Sequence, residues 1–176
     1  MGPCGLAQRL RANRDAHDIQ ARIMTESCGV EPLSAGGGWM VDESLFRLLL
    51  DFEIHKAQRL RYSVSIVCFT IERSAAGNRE ASAASIAENI ARRLRATDAV
   101  AVWTEGRLFF LLIDAETTHL PTIFERLTTR LSTVGWSAGG SSYPRTAARA
   151  EDMLRQAAAM LTRAREEGGN RLYVAS

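Results

Sequence analysis

The sequence predicts an α+β fold of the ferredoxin-like type, with a central antiparallel sheet of about five strands flanked by helices. Short runs rich in β-branched and aromatic residues alternate with helix-spaced segments. After one leading helix their order is β-α-β-β-α-β-α-β, and the first six elements form the split β-α-β arrangement. With 176 residues, of which 46% are hydrophobic, the chain is long enough for one domain with a sizeable core and a modest extension.

The regular pattern begins at Val41. Asp42 or Ser44 can cap a helix in which apolar residues recur at helical spacing, namely Leu45, Leu48, Leu49 and Phe52, followed by His55. Strands are predicted over residues 62–71, 99–103, 108–114, 134–142 and 171–175, and helices over residues 82–95, 117–131 and 147–167. Pro121 fits the first turn of its helix, and Gly168 with Gly169 ends the last helix. A tight turn joins the second and third strands.

Residues 1–40 are predicted to form an N-terminal helix or linker, partly disordered, ahead of a domain over residues 41–176. The stretch 6–24 is polar, with Leu6, Leu10, Ile19 and Ile23 as its apolar points. Two interpretations stay open for it, a short helix that pairs with another helix and a tail. The string SAGGGW, residues 34–39, predicts a flexible break.

The composition argues against several classes of function. The net charge is +2 without a long basic run, so no nucleic-acid partner is expected. The three cysteines form no CxxC pair and the three histidines are scattered, which predicts a reducing compartment and no metal site. No stretch is long and apolar enough to span a membrane, and the N-terminus lacks a signal-peptide pattern. We therefore expect a cytoplasmic protein without membrane insertion and without a cofactor.

Several local strings occur in an order and spacing that are more specific than any one of them. They are EPLS (31–34), VSIVCFTIE (64–72), RATDAVAV (95–102), TEGRL (104–108), GWSAG (135–139) and AAAMLTRAREEGGNR (157–171). Over residues 31–175 this series resembles the GGDEF domain of bacterial diguanylate cyclases, whose fold is the nucleotidyl-cyclase palm. The resemblance implies a domain in signal transduction by cyclic di-GMP.

The departures from the family pattern predict that the chain is not an enzyme. Active members condense two GTP molecules with divalent metal ions held by carboxylates. Thr70 stands at one ligand position, and the GGDEF position is occupied by Thr104, Glu105, Gly106, Arg107 and Leu108. Arg107 places a cation where a metal ion needs an anionic oxygen. Glu72, at the second Asp of the first strand, and Arg165, at a Lys near the triphosphate, are the remnants of the site.

One family motif is retained, the RxxD sequence of the inhibitory site for cyclic di-GMP. Arg95-Ala96-Thr97-Asp98 matches it, and Asp98 stands six residues before Thr104, as the family register requires. Arg95 can bind phosphate or the Hoogsteen edge of guanine, Asp98 can accept from guanine N1 and N2, and Arg92 can add a phosphate contact. The expected function is a catalytically inactive cyclic di-GMP receptor that regulates a partner or an assembly, with a homodimer or a protein partner.

Plainer interpretations stand beside this hypothesis. Arg95 is also a cation suited to a helix C-terminus, and Asp98 a turn residue. A second RxxD, Arg149 to Asp152, predicts only a solvated helix start. Arg107 can pair with Glu105 across the turn, and Trp103 and Phe109 suit core or hairpin packing. The alternative functions are a nucleotide-independent dimerisation or scaffold module and a residual GTP-binding domain.

Overall fold

A computed structural model describes residues 37–71, 79–129 and 135–176, and side chains within these ranges except those of 79–82. The elements in chain order are β1 (Trp39–Val41), α1 (Glu43–Leu60), β2 (Val64–Ile71), α2 (Arg79–Ala91), β3 (Ala99–Val102), β4 (Leu108–Ile113), α3 (Leu120–Thr128), β5 (Trp136–Tyr143), α4 (Ala150–Glu166) and β6 (Arg171–Val174). Short 3₁₀ turns at Thr104–Gly106 and Thr117–His119 precede β4 and α3. None of the helices in these ranges is long and apolar enough to cross a membrane.

The six strands form one sheet in the order β1-β3-β4-β2-β5-β6. Its four central strands, β3-β4-β2-β5, pair antiparallel in the order of a ferredoxin-like fold, which confirms the predicted fold class. The two outer pairs, β1 with β3 and β5 with β6, are parallel. All of the predicted strands are present, and β1 is an additional strand that the sequence does not predict. Because Trp39 and Met40 pair with β3, the sheet begins before the predicted boundary at residue 41.

Helices cover both faces of the sheet, so the central strands are buried on both sides. On β2, Ile66 and Cys68 pack in the cluster beneath α1 and α4, whereas Val67 and Phe69 pack in the cluster beneath α2 and α3. This alternation follows from the two-residue period of a strand. It explains why the string VSIVCFTI is apolar at nearly every position rather than at every second one.

Helix α1 begins and ends with defined caps. Asp42 accepts a hydrogen bond from the backbone N–H of Leu45 at 2.7 Å, and Arg61 ends the helix in the left-handed conformation. Its buried residues are Phe46, Leu50, Ile54 and Ala57. The predicted apolar series differs from this face, because Leu48 and Phe52 are 66% and 61% exposed. Leucine and phenylalanine residues occur on the buried side of α1 and also on its exposed side. Helical spacing alone therefore cannot show which of the two sides faces the sheet.

Several element boundaries differ from the predicted ones. Helix α2 ends at Ala91 rather than at residue 95, and α4 begins at Ala150 rather than at residue 147. In the predicted helix 117–131, the first residues form a 3₁₀ turn and Pro121 lies in the first turn of α3, as expected. The predicted loop 74–78 and the N-terminal stretch 6–24 lie outside the described residues.

Gly37 and Gly38, the described glycines before β1, pack closely against the end of α2. A Cβ atom at Gly38 would lie 2.7 Å from the Leu94 Cβ and 2.8 Å from the Asp98 carbonyl oxygen. The Gly38 amide also donates to the Ala91 carbonyl at 2.8 Å. The predicted flexible break is therefore a close packing contact at Gly37 and Gly38, where the absence of side chains lets the chain pass against the end of α2.

Gly139 on β5 is where α4 packs most closely on the sheet. A Cβ atom there would lie 2.1 Å from the Ala157 carbonyl oxygen and 2.2 Å from the Leu161 amide nitrogen. Both are backbone atoms of a helix, so no side-chain rotation can relieve the overlap. At the adjacent Gly140, a Cβ atom would meet only the side chains of Leu120 and Val174, at 3.1 Å and beyond.

We expect Gly139→Ala to destabilise the domain by about 3 kcal/mol or more, because α4 must move away from the sheet. Gly140→Ala is the matched control, and flexible side chains should limit its cost to about 1 kcal/mol. Urea unfolding followed by circular dichroism measures both variants. Equal losses of stability would show that the approach of α4 does not depend on Gly139.

Candidate functional site

The turn between α2 and β3 is fixed by the side chain of Asp98. Its Oδ2 accepts a hydrogen bond from the Arg95 backbone N–H at 3.0 Å, and its Oδ1 accepts from the Ile113 backbone N–H at 3.1 Å. The Thr97 hydroxyl donates to Oδ1 at 3.4 Å. Asp98 is only 5% exposed. The carboxylate therefore closes the turn over residues 95–98 and ties it to the end of β4.

Burial raises the pKa of Asp98 above its usual range. The amide hydrogen bonds from Ile113 and Arg95 and the charge of Arg95 lower the pKa but only partly offset the burial. A carboxyl pKa that is higher in the folded than in the unfolded state means that the folded state binds the proton more tightly. The contribution of Asp98 to stability therefore falls as the pH rises from about 4 through the raised pKa.

Arg92 and Arg95 lie at the surface beside this turn. Both are exposed, and within the described residues neither forms a salt bridge. Their position after the end of α2 is favourable for cations because of the helix dipole. The predicted site residues Arg95 and Asp98 thus lie in the same turn but differ in their exposure to solvent. The structure presents Arg95 to solvent, whereas the Asp98 carboxylate is buried and accepts from two backbone amides, and the expected contact of Asp98 with guanine stays a prediction.

Trp39 holds the outer side of the same turn, a contact that the sequence analysis does not predict. Its indole Nε1–H donates to the Ala96 carbonyl at 2.8 Å, and its backbone N–H donates to the Asp98 carbonyl at 2.9 Å. Only the adjacent glycine run distinguishes this tryptophan in the sequence. These two hydrogen bonds therefore hold strand β1 against the turn of residues 95–98.

The second RxxD has a different environment. Arg149 precedes the first residue of α4 and is exposed, while Asp152 pairs with Arg155 along the helix. The prediction of a solvated helix start is confirmed. Arg149 therefore provides an arginine in the same sequence pattern without the buried carboxylate that fixes the Arg95 turn.

The hairpin of residues 104–108 lies at the other end of β3. Glu105 and Gly106 adopt left-handed backbone conformations, and the Arg107 guanidinium pairs with the Glu105 carboxylate at 3.2 Å, as predicted. The β2–β4 ladder runs from Val64 opposite Ile113 to Phe69 opposite Leu108, so Thr70 and Arg107 are the next positions along the two strands. Thr70 and Arg107, two of the predicted site positions, thus occupy one corner of the sheet.

The surroundings of this corner are aromatic and cationic. The rings of Trp103 and Phe109 lie 4.1 Å apart, and the Arg47 guanidinium lies 4.5 Å from the centre of the Trp103 ring. The prediction that Trp103 and Phe109 pack in the core or hairpin is confirmed. Among the described residues no group of three His, Cys, Asp or Glu side chains could hold a metal ion. Arg165 is exposed in the last turn of α4, and Glu72 lies outside the described residues.

Sequence comparison and structural comparison give different results. No family model matches the sequence, and no curated protein is significantly similar to it. Among solved structures, the GGDEF domain of YfiN (TpbB) from Pseudomonas aeruginosa is 17% identical, with a TM-score of 0.70, covering 77% of this chain and 96% of that one. The coiled coil and GGDEF domain of DgcB from Caulobacter crescentus, in complex with c-di-GMP, is 12% identical, with a TM-score of 0.70 and 97% of both chains covered.

A third similar structure is the diguanylate cyclase SiaD in complex with its activator SiaC from Pseudomonas aeruginosa. It is 16% identical, with a TM-score of 0.66, and covers 97% of this chain and 72% of that one. The chain therefore has the fold of the GGDEF domains of diguanylate cyclases.

We expect Asp98→Ala to lower the free energy of unfolding by about 1–2 kcal/mol. The substitution avoids the burial of a carboxylate but leaves the amides of Arg95 and Ile113 without an acceptor. Thr97→Ala is the control, since its exposed hydroxyl makes one long contact and its loss should cost less than about 0.5 kcal/mol. Thermal unfolding at pH 7 tests the pair, and an Asp98→Ala variant as stable as the wild type would contradict the assigned role.

Proposed function

We propose that this chain is a catalytically inactive GGDEF-type domain that binds cyclic di-GMP at the Arg95–Asp98 turn and thereby regulates a partner or an assembly. The observation that carries the proposal is an exposed arginine, without a salt bridge among the described residues, on a turn that a buried carboxylate fixes. By the resemblance, the turn stands in register with the hairpin of residues 104–108, in which Arg107 occupies the position of the acidic fourth residue of GGDEF.

The chemistry of the turn suits a cyclic dinucleotide. Arg95 offers a planar guanidinium that can form two parallel hydrogen bonds with a phosphate or with the O6 and N7 atoms of guanine. Arg92 adds a second positive charge nearby for the other phosphate. Asp98 supports binding indirectly, because it fixes the backbone from which Arg95 extends and so lowers the entropy lost when the ligand binds.

The substituted hairpin supports the absence of cyclase activity. Thr70 contributes no carboxylate, and Arg107 places a positive charge at the same corner. The one carboxylate of the turn, Glu105, is paired with that arginine. Two-metal catalysis of phosphoryl transfer needs anionic ligands that hold the ions close to both reacting oxygens. The remnant positions, Glu72 and Arg165, do not supply such a set.

Regulation would arise from a difference in ligand affinity between two states of the protein or its assembly. We propose that the ligand binds as an intercalated dimer, and that a neighbouring protomer or a partner protein contributes further arginine contacts. The complex of SiaD with its activator SiaC shows that one protein of this fold binds a protein partner.

A second candidate function is a dimerisation or scaffold module that binds no nucleotide. The exposed side chains of Leu48, Phe52 and Leu60 on α1 favour it, because apolar side chains of this size at 61–66% exposure often contribute to interfaces. The two candidates are separated by a direct binding measurement.

Calorimetric titration of the wild-type protein with cyclic di-GMP should give micromolar or tighter binding, about −8 kcal/mol or better. Arg95→Ala should weaken it by about thirtyfold or more, because hydrogen bonds to charged groups contribute about 2 kcal/mol. Arg149→Ala is the matched control and should bind like the wild type. Absence of heat in the wild type would favour the scaffold module, and equal affinities of the two arginine variants would place the site elsewhere.

Incubation with GTP and either Mg²⁺ or Mn²⁺ should yield no cyclic di-GMP, because the corner formed by Thr70 and Arg107 lacks the anionic ligands for the ions. Chromatography of the nucleotides measures the product, with an active diguanylate cyclase in the same buffer as the positive control. Any time-dependent product formation that scales with protein concentration would contradict the assignment as a non-catalytic domain.

A further inference from the structure

An apolar groove of about 350 Å³ lies between α1 and the outer edge of the sheet. Trp39 and Ala99 line it from β1 and from the adjacent strand β3, and Leu45 and Leu49 line it from the helix. Thr97, the third residue of the RxxD turn, also lines the groove. The groove and the proposed binding turn are therefore continuous, and this size is within the range of small-molecule sites.

Trp39 forms a fixed aromatic wall of the groove. Its side chain is partly open, the residue being 43% exposed, yet the hydrogen bond from Nε1–H to the Ala96 carbonyl restrains the ring. The backbone bond to the Asp98 carbonyl restrains the residue from the other side. An aromatic ring held in advance loses little conformational freedom when a flat ligand stacks on it.

We propose that the groove receives one purine base of the cyclic dinucleotide bound at the Arg95–Asp98 turn, and that the base stacks on Trp39. This inference rests on the proposed function. A cyclic dinucleotide joins anionic phosphates to flat bases over a short distance, and the surface here joins two exposed arginines to an apolar, aromatic groove through Thr97. Base stacking on an aromatic side chain is a common mode of binding unpaired bases.

Glu53, a charged residue that lines the groove, already has hydrogen-bond partners. The Glu53 carboxylate accepts hydrogen bonds from the Tyr62 hydroxyl and from the Lys56 ammonium, the latter at 2.9 Å. Recognition within the groove is therefore by stacking and apolar contact, and hydrogen-bond recognition belongs to Arg95. The arginines favour a phosphate-bearing occupant over an apolar segment of protein, because a purely apolar partner would leave their charges unused.

The test compares Trp39→Phe with Trp39→Leu in calorimetric titrations with cyclic di-GMP. Both variants lose the indole N–H bond to Ala96, so the effect of that loss on the turn is shared, and only the phenylalanine variant keeps an aromatic ring. Trp39→Leu should bind about tenfold more weakly than Trp39→Phe. Phe52→Leu is the control, because it removes an exposed aromatic ring of α1 that does not line the groove, and it should bind like the wild type.

A second measurement takes its main readout from the wild-type protein. Stacking on Trp39 should change the tryptophan emission of the wild-type protein with the same midpoint as the calorimetric titration. In Trp39→Phe, the emission of Trp103 and Trp136 should not respond. Binding that is lost in Arg95→Ala but equal in the two Trp39 variants, or an unchanged emission at saturation, would overturn the groove and leave the proposed function intact. Failure of the wild type to bind at all would overturn both.

Discussion

The carboxylate of Asp98 joins three parts of the domain that are distant in sequence or differ in structure. The carboxylate accepts from the amide of Arg95 in the turn and from the amide of Ile113 at the end of β4. The backbone carbonyl of Asp98 accepts from the amide of Trp39 on β1. Buried amides require acceptors, so these bonds are worth more than their individual strengths suggest. The orientation of the turn from which Arg95 extends depends on the side chain of Asp98, and the backbone carbonyl of the same residue helps to hold the edge strand.

The other end of β3 leads into the hairpin of residues 104–108. The Thr70–Arg107 corner is stabilised by contacts that need no ion, since Arg107 pairs with Glu105 and Trp103 packs against Phe109 and Arg47. The core beneath it is apolar on both faces. The packing of this corner therefore rests on aromatic contacts and an ion pair within the chain, and the fold alone does not determine the chemistry at such a position.

The parts of the fold that follow from local pattern were predictable from the sequence, and the parts that depend on tertiary contact were not. The β-branched run at residues 64–71 and the caps at Asp42 and Gly168 signal their elements directly. Strand β1 has only three residues and follows glycines, so it carries no periodic signal. The buried side of α1 depends on where the sheet lies, because Phe46 and Phe52 are equally apolar. For the site, the register of the resembling family predicted Arg95 and Asp98, whereas the hydrogen bonds that engage the Asp98 carboxylate with the amides of Arg95 and Ile113 depend on tertiary contact and could not be predicted.

The attachment of β1 to the turn gives a physical route from a ligand to the rest of the chain. At this junction Gly38 donates to Ala91, and Trp39 donates to Ala96 and Asp98. A ligand that contacts Arg95 and Trp39 acts on both sides of this junction. Its binding free energy can then favour one arrangement of the junction over another, and by reciprocity any partner that prefers the same arrangement raises the affinity for the ligand. The proposed receptor function requires no more than this coupling between ligand binding and the junction. The closeness of Gly38 to Leu94 leaves little room for the junction to move independently of the turn.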